Sequence, residues 1–226
     1  MGLFAHGCLA GTHSLGLSCR RRPVRGANTH VLDIGTGGGE MLLSFEPVIR
    51  SGLGIDLDSH MVTVAVENGR DIPNVSFVCS SHELENVNGR FDVALNRHAP
   101  FALKKLPARL KTGGVFITQQ VGERNMANVK QALGQTTANA PIAPEMFDDA
   151  GLDLLEFCEY DVDYVVQDIE SLIFWLGALD LLHADVDGSG AIADVDAFNA
   201  ILHGSVTERE FVTNEHRYLA VARARS

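Results

Sequence analysis

The glycine-rich run in "VLDIGTGGGE", residues 31–40, limits how this chain can fold more than any other feature. A short apolar run ends in an acid, Asp33, and leads into glycines at positions 35, 37, 38 and 39. Glycine loses more conformational freedom on folding than any other residue. Four glycines directly after a strand-like run therefore indicate a backbone that turns with positive φ or lies against a ligand.

Strand and helix patterns alternate along the rest of the chain. Seven strand-like segments fall at residues 29–35, 52–58, 74–80, 90–96, 114–122, 152–160 and 216–224. Helix-like segments separate most of them, the first expected over residues 39–52 and two more near 168–183 and 195–204. This alternation predicts an α/β fold with a largely parallel sheet covered on both faces. Ligands of such sheets bind at the carboxyl ends of the strands.

Two segments lie outside this pattern. The long connection between the sixth and seventh strands predicts a mostly helical cap over residues 161–214, because long connections in compact domains often form lids or binding elements. The first 32 residues contain no acid and include four arginines. Residues 1–30 are interpreted as an N-terminal arm, with a transit peptide as the alternative. Residues 31–226 then form a single domain.

Charge and cysteine content limit the partners and the compartment. The net charge is −11, and the stretch 131–208 has no Lys or Arg against sixteen acids. Because such a surface repels phosphate backbones, nucleic acid is not expected as a partner, and a small molecule is. A cationic or amine-bearing substrate is a weaker extension of this argument. The four scattered cysteines predict neither a metal site nor disulfides, which favours a cytoplasmic location. No apolar run has the ~20 residues that span a membrane.

The spacing of the glycines argues against a dinucleotide. A dinucleotide turn has the pattern G-x-G-x-x-G, whereas here the glycines read G-x-G-x-G and Glu40 occupies the third position. The second strand ends in Asp56, within "GIDLD". A carboxylate at that place can accept hydrogen bonds from the two hydroxyls of a ribose.

Together these motifs resemble the class I S-adenosylmethionine-dependent methyltransferases. "VLDIGTGGGE" is similar to the first motif of that family, "GLGIDLD" to the second and "VSFVCSSHEL" to the third. "RFDVALNRHAP" resembles the fourth, and "LKTGGVFITQQVG" the segment that follows it. "NRHAP" and "TQQVG" also resemble an uncharacterised bacterial group of these enzymes. The resemblance implies a Rossmann-like sheet with an antiparallel last strand, S-adenosylmethionine as cofactor, and methyl transfer to an N or O atom.

The resemblance also implies a role for each residue of the cofactor site. Asp33, Gly35, Thr36 and Gly37 would hold the methionine part, Asp56 the ribose, Leu57 the adenine face, Ser81 and His82 the adenine amine, and Asn96 the region beneath the sulfonium. Family members often have an acid where this chain has Ser81. Asp33 as a loop cap and Asp56 as a helix cap are the structural alternatives.

His98 is the candidate general base, because it follows the fourth strand and titrates near neutrality. A structural histidine bonded to the backbone is the alternative. Arg97 is either an anchor for a substrate carboxylate or a surface cation. Gln119 and Gln120 end the fifth strand, and alternation along a strand turns only one of them toward the acceptor.

One motif stands apart from this fold. "DVDGSGAIADVD", residues 185–196, matches the residue pattern of an EF-hand calcium loop, although it ends in Asp rather than Glu and has no second copy. An acidic turn between two helices explains the same residues, so no metal site is assigned. The functional alternatives are a non-catalytic S-adenosylmethionine-binding protein that responds to calcium, and a methyltransferase acting on RNA or protein.

Overall fold

The computed structural model describes residues 26–134, 141–178, 195–205 and 210–225. The strands are β1 His30–Ile34, β2 Ser51–Asp56, β3 Val75–Cys79, β4 Phe91–Arg97, β5 Leu110–Val121, β6 Leu152–Val166 and β7 Phe211–Ala224. The helices are α1 Glu40–Leu43, α2 Ser59–Asn68, α3 Ala127–Ala132, α4 Glu145–Asp149, α5 Ile169–Ala178 and α6 Val195–Ser205. Short 3-10 helices span Glu46–Val48 and Leu103–Ala108.

The seven strands form one sheet in the order β3-β2-β1-β4-β5-β7-β6. β1 pairs in parallel with both β2 and β4, and β2 with β3. The last strand, β7, is antiparallel, and helices lie between β6 and β7. These findings confirm the predicted Rossmann-like fold. The strand order changes direction beside β1, which is where open α/β sheets bind their ligands.

The chain divides into two compact units. The first contains β1 to β3 and most of β4, and its buried side chains include Leu32, Ile34 and Ile55. Asp92 of β4 accepts hydrogen bonds from the His30 N–H at 2.8 Å and from Lys111 Nζ at 2.7 Å. Burial alone would raise the pKa of Asp92, but these two bonds lower it. The carboxylate thereby ties β1 to the start of β5.

The second unit contains residues 97–99 and 117–222. Its described helices bury an apolar cluster that consists of Met126, Val129, Val166, Leu172, Leu176, Phe198, Ile201 and Phe211. On its surface, Arg124 pairs with Glu159 at 2.6 Å and with Asp161 at 3.1 Å.

The structure corrects several predicted boundaries. The helix expected over 39–52 is only Glu40–Leu43, because Pro47 lacks an N–H and cannot continue a helix. β6 extends to Val166 and β7 begins at Phe211, so both ends of the stretch 161–214 are strand rather than helix. The predicted cap includes "DVDYVV", but the acids of this segment alternate with the two-residue period of a strand. Residues 1–25 of the predicted arm and 185–194 of the EF-hand-like loop lie outside the described residues.

Candidate functional site

The glycine loop leaves β1 through a backbone that requires glycine. Gly35 has φ of 74° and Gly37 has φ of 56°, both in the left-handed region. The N–H groups of Gly35 and Thr36 both donate to the carbonyl oxygen of Ile55 at 2.9 Å, which fixes the turn to the neighbouring strand β2. The glycine run therefore provides the positive φ that its composition predicts.

Asp56, at the end of β2, is joined directly to this loop. Its Oδ2 accepts from the N–H of Gly37 at 2.9 Å, and its Oδ1 accepts from the N–H of Asp58 at 3.0 Å. Each carboxylate oxygen has a second lone pair, so Asp56 keeps acceptor capacity toward a ligand. The helix-cap alternative for Asp56 is wrong, because the residue that caps α2 is Asp58, which accepts from the His60 N–H at 2.8 Å.

Two hydrogen bonds made by buried polar side chains support the start of the loop. Thr36 Oγ1 donates to Asp33 Oδ2 at 2.9 Å. On the other side of β1, Asn96 Nδ2 donates to the carbonyl oxygen of Ile34 at 3.0 Å. Asp33, Thr36 and Asn96 are all buried. The structure thus brings Asp33, Gly35, Thr36, Gly37, Asp56 and Asn96 together at one edge of the sheet, within the first unit.

The glycines of the loop differ in what lies in front of them. A Cβ on Gly37 would meet no nearer atom than Met61 Cε at 3.8 Å, so the space before its backbone is open. A Cβ on Gly39 would lie 2.7 Å from the ring of Phe77, and one on Gly54 would lie 2.5 Å from the same ring. Gly37 therefore provides an open cradle, whereas Gly39 allows close packing of α1 on the sheet.

The residues implied for adenine binding lie at the same edge. Leu57 is 71% exposed, which leaves its apolar side chain available to a flat ring. The N–H of Ser80 donates to the carbonyl oxygen of Asp56 at 2.9 Å and brings the chain after β3 alongside. Ser81 Oγ donates to Glu85 Oε2 at 2.6 Å, and His82 Nε2 lies 3.6 Å from Glu83 Oε1.

His98 belongs to the second unit and has a left-handed backbone, with φ of 56°. Its N–H donates to the carbonyl oxygen of Gln119 at 2.9 Å, and Gln119 Nε2 donates to the hydroxyl of Tyr160 at 3.2 Å. Partial desolvation, together with the charges of Arg217 and Arg97, lowers the pKa of the His98 imidazole to about 4. His98 is thus neutral at pH 7, and its basicity is weaker than the sequence predicts.

Two residues that support the glycine loop are not predicted from the sequence. Asn68 Nδ2 donates to the carbonyl oxygen of Gly38 at 2.9 Å and so holds the glycine loop from the end of α2. Phe77 fills the space in front of Gly39 and Gly54. The "NG" pair at Asn68 predicts the end of a helix, and Phe77 fits the pattern of an ordinary strand residue. Neither pattern shows which loop the side chain contacts.

Comparison with known proteins agrees with this geometry. Residues 31–114 match a family model described as a methyltransferase domain. YcgJ from Bacillus subtilis is 18% identical, with a TM-score of 0.64 over 89% of this chain and 94% of that one. A putative methyltransferase from Bacillus halodurans is 19% identical, with a TM-score of 0.60 over 90% and 96%. A methyltransferase from Geobacter sulfurreducens, crystallised with S-adenosyl-L-homocysteine, is 19% identical, with a TM-score of 0.56 over 88% and 86%. No curated protein sequence matches the chain.

Residues 31–114 are therefore similar to a methyltransferase domain, and the chain shares its fold with a methyltransferase that depends on S-adenosylmethionine. The open cradle at Gly37 and the carboxylate of Asp56 fit such a cofactor, because they offer close main-chain approach and an acceptor for ribose hydroxyls. Among the described residues, no group of His, Cys, Asp or Glu is arranged to hold a metal ion. No helix in the described ranges is long and apolar enough to cross a membrane.

Proposed function

We propose that this protein transfers a methyl group from S-adenosylmethionine to an N or O atom of a small molecule. The observation that carries the proposal is the hydrogen bond from Gly37 to Asp56, which holds the open cradle and the ribose acceptor in one rigid unit. The cofactor supplies an electrophilic methyl group on a sulfonium. The chain aligns the acceptor with that methyl and excludes water, since in-line displacement requires little else from a protein.

Each cofactor-site residue has a proposed role. Asp33, Gly35, Thr36 and Gly37 hold the methionine part, and Asp56 holds the ribose hydroxyls. Leu57 covers one face of the adenine, and Ser81 and His82 lie near its amine. Asn96, which pairs with Ile34 across β1 and β4, lies beneath the sulfonium. Many family members have an acid at the position of Ser81. In this chain Ser81 donates to Glu85, so the carboxylate beside this position comes from Glu85.

His98 is proposed as the group that takes the acceptor's proton. It is neutral at pH 7 and follows Asn96 by two residues, at the cofactor end of β4. The small-molecule assignment rests on the stretch 131–208, whose charge opposes polynucleotides.

Calorimetry of the full chain with S-adenosylhomocysteine tests the proposal. We expect saturable binding, and weakening by about 1–3 kcal/mol in Asp56→Ala, the cost of unmet buried hydrogen bonds. Asp71→Ala, at an acid on the exposed surface just beyond α2, is the matched control and should bind like the parent. Tight binding of NAD without any response to S-adenosylhomocysteine would contradict the proposal.

A further inference from the structure

Glu85, in the turn after β3, is an exposed acid whose carboxylate is held by Ser81. Ser81 Oγ donates to Glu85 Oε2 at 2.6 Å and accepts from the N–H of Glu83 at 3.1 Å. The single hydroxyl proton of Ser81 is thus directed at Glu85. The bond from Ser81, together with one from the main-chain N–H of Glu85 itself, lowers the pKa of this carboxyl. Glu85 is therefore ionised at neutral pH.

The turn that carries Glu85 is anchored in the core of the first unit. The preceding residue, Leu84, is 1% exposed and has a left-handed backbone, with φ of 62°. Its N–H donates to the carbonyl oxygen of Ser81 at 3.1 Å, and its carbonyl oxygen accepts from Arg109 Nη2 at 3.3 Å. Leucine rarely adopts this conformation, and such residues persist only where the surrounding contacts hold them. The backbone beside Glu85 is thus fixed before any ligand binds.

The same turn is joined to the end of β2, where Asp56 lies. Cys79, the last residue of β3, pairs with Asp56, and the N–H of Ser80 donates to the carbonyl oxygen of Asp56 at 2.9 Å. Asn86 Nδ2 donates to the carbonyl oxygen of Cys79 at 3.3 Å, which returns the chain after Glu85 to the end of β3. Hydrogen bonds within the first unit therefore connect the turn of Glu85 to the proposed ribose acceptor.

A base joined to a ribose at Asp56 would meet two kinds of surface here. Leu57 is 71% exposed and offers an apolar face. The carboxylate of Glu85 offers acceptors only. It has about four lone-pair sites, of which the bonds from Ser81 and from its own N–H use two. Such a surface favours a base with a donor at its edge, such as the amine of adenine, and disfavours one with a carbonyl oxygen there.

We propose that Glu85 accepts a hydrogen bond from the adenine amine of the cofactor, and that Ser81 orients Glu85 for this contact. The proposal rests on the proposed methyltransferase function and names a residue that determines its cofactor specificity. Ser81 is then a positioning residue, because its effect on the base passes through the carboxylate that it holds. The acid that many family members have at the position of Ser81 is supplied in this chain four residues later.

Calorimetry of the full chain with two ligands tests this assignment. S-inosylhomocysteine differs from S-adenosylhomocysteine in having a carbonyl oxygen in place of the amine. The parent should prefer the adenosyl ligand by about 10–100-fold, the effect of one hydrogen bond to a charged group. Glu85→Gln should lose most of this preference, because its amide can also donate to a carbonyl oxygen. Glu67→Gln, at an exposed acid of α2 in the same unit, is the charge-matched control and should keep the preference.

Variants at Ser81 test whether it acts through Glu85. Ser81→Ala should reduce the preference, whereas Ser81→Thr keeps a hydroxyl and should retain it. The double variant Ser81→Asp with Glu85→Gln moves the acid to the position that many family members use. It should restore the preference to within about threefold of the parent.

The ratio of the two affinities also separates this proposal from the function on which it rests. The role of Glu85 is overturned if the parent binds both ligands equally, or if Glu85→Gln keeps the full preference. If S-adenosylhomocysteine still binds in either case, only the assignment of Glu85 fails. If neither ligand binds the parent, the proposed function fails with it.

Discussion

Gly122 lies directly against the imidazole of His216, so closely that a Cβ at position 122 would be 2.0 Å from Nδ1. His216 has no exposed surface. Its Nδ1 accepts from the Arg124 N–H at 3.1 Å, and its Nε2 lies 2.9 Å from Glu159 Oε1. These two bonds assign the proton of the neutral ring to Nε2. The ring cannot move aside without breaking both of them.

Gly122→Ala should therefore lower the free energy of unfolding by about 3 kcal/mol, the upper end of the usual cost of overpacking. Chemical denaturation measures this loss. Gly177→Ala, on α5 of the same unit, is the control, because a Cβ there meets nothing within 4 Å and alanine favours a helix. The double variant with His216→Ala should be less destabilised than the sum of the single changes. Strict additivity would contradict the packing argument.

Gly37 and Gly39 both have positive φ but should respond differently to alanine. Gly37→Ala carries only the left-handed strain of about 1–2 kcal/mol, because the space before it is open. Its Cβ would occupy the cradle, so S-adenosylhomocysteine affinity should fall by at least about tenfold, or ~1.4 kcal/mol. Gly39→Ala adds a clash with Phe77 and should destabilise the fold more.

Thermal unfolding and calorimetry on the same two variants separate these effects. Gly89→Ala, at a third glycine with positive φ and nothing within 4 Å, controls for the strain alone. Full cofactor affinity in a folded Gly37→Ala protein would place the ligand elsewhere.

Tyr218 predicts how stability changes in alkaline solution. Its hydroxyl donates to Glu123 Oε2 at 2.9 Å, and its side chain is 5% exposed. Burial and the bond to Glu123 together raise the pKa of Tyr218 from 10.0 to about 12. The unfolded chain releases this proton first, so the stabilisation is complete below pH 10.0 and is lost as pH rises to about 12.

Denaturation of the parent and Tyr218→Phe across that range measures this contribution. The parent's advantage in unfolding free energy should shrink between pH 10.0 and about 12. Tyr164→Phe, at a tyrosine that is 37% exposed, is the control for the loss of a hydroxyl. A difference between parent and Tyr218→Phe that stays constant with pH would rule out this titration.

The sequence predicts the parts of the site that are local. Only α1, a short 3-10 helix and β2 separate the glycines from Asp56. The spacing of these motifs therefore indicates the loop, its positive φ and the carboxylate that contacts it. The hydrogen bond between Gly37 and Asp56 spans 19 residues, and both residues belong to recognisable motifs.

The environment of His98 could not be predicted in the same way. Arg217 lies on β7 and belongs to no motif, yet its charge contributes to the low pKa of His98. The sequence therefore predicts a base of ordinary strength. Tertiary placement decides this property, and no local sequence pattern indicates it.

His98 gives the last prediction, which concerns the chemical step. His98→Asn keeps a polar side chain, and asparagine tolerates the left-handed backbone at φ of 56°. We expect kcat to fall by about 10²–10³-fold if His98 takes the acceptor's proton, within the range of general base catalysis. The affinity for S-adenosylhomocysteine should stay within about twofold of the parent, since the cofactor residues all lie in the first unit. His203→Asn, at an exposed histidine of α6 with no assigned role in binding or catalysis, is the matched control and should keep kcat. The parent's kcat should fall at acid pH as His98 becomes protonated in the acceptor complex, and this limb should be missing in His98→Asn. A full-rate His98→Asn enzyme with an unchanged pH profile would show that His98 is a structural histidine.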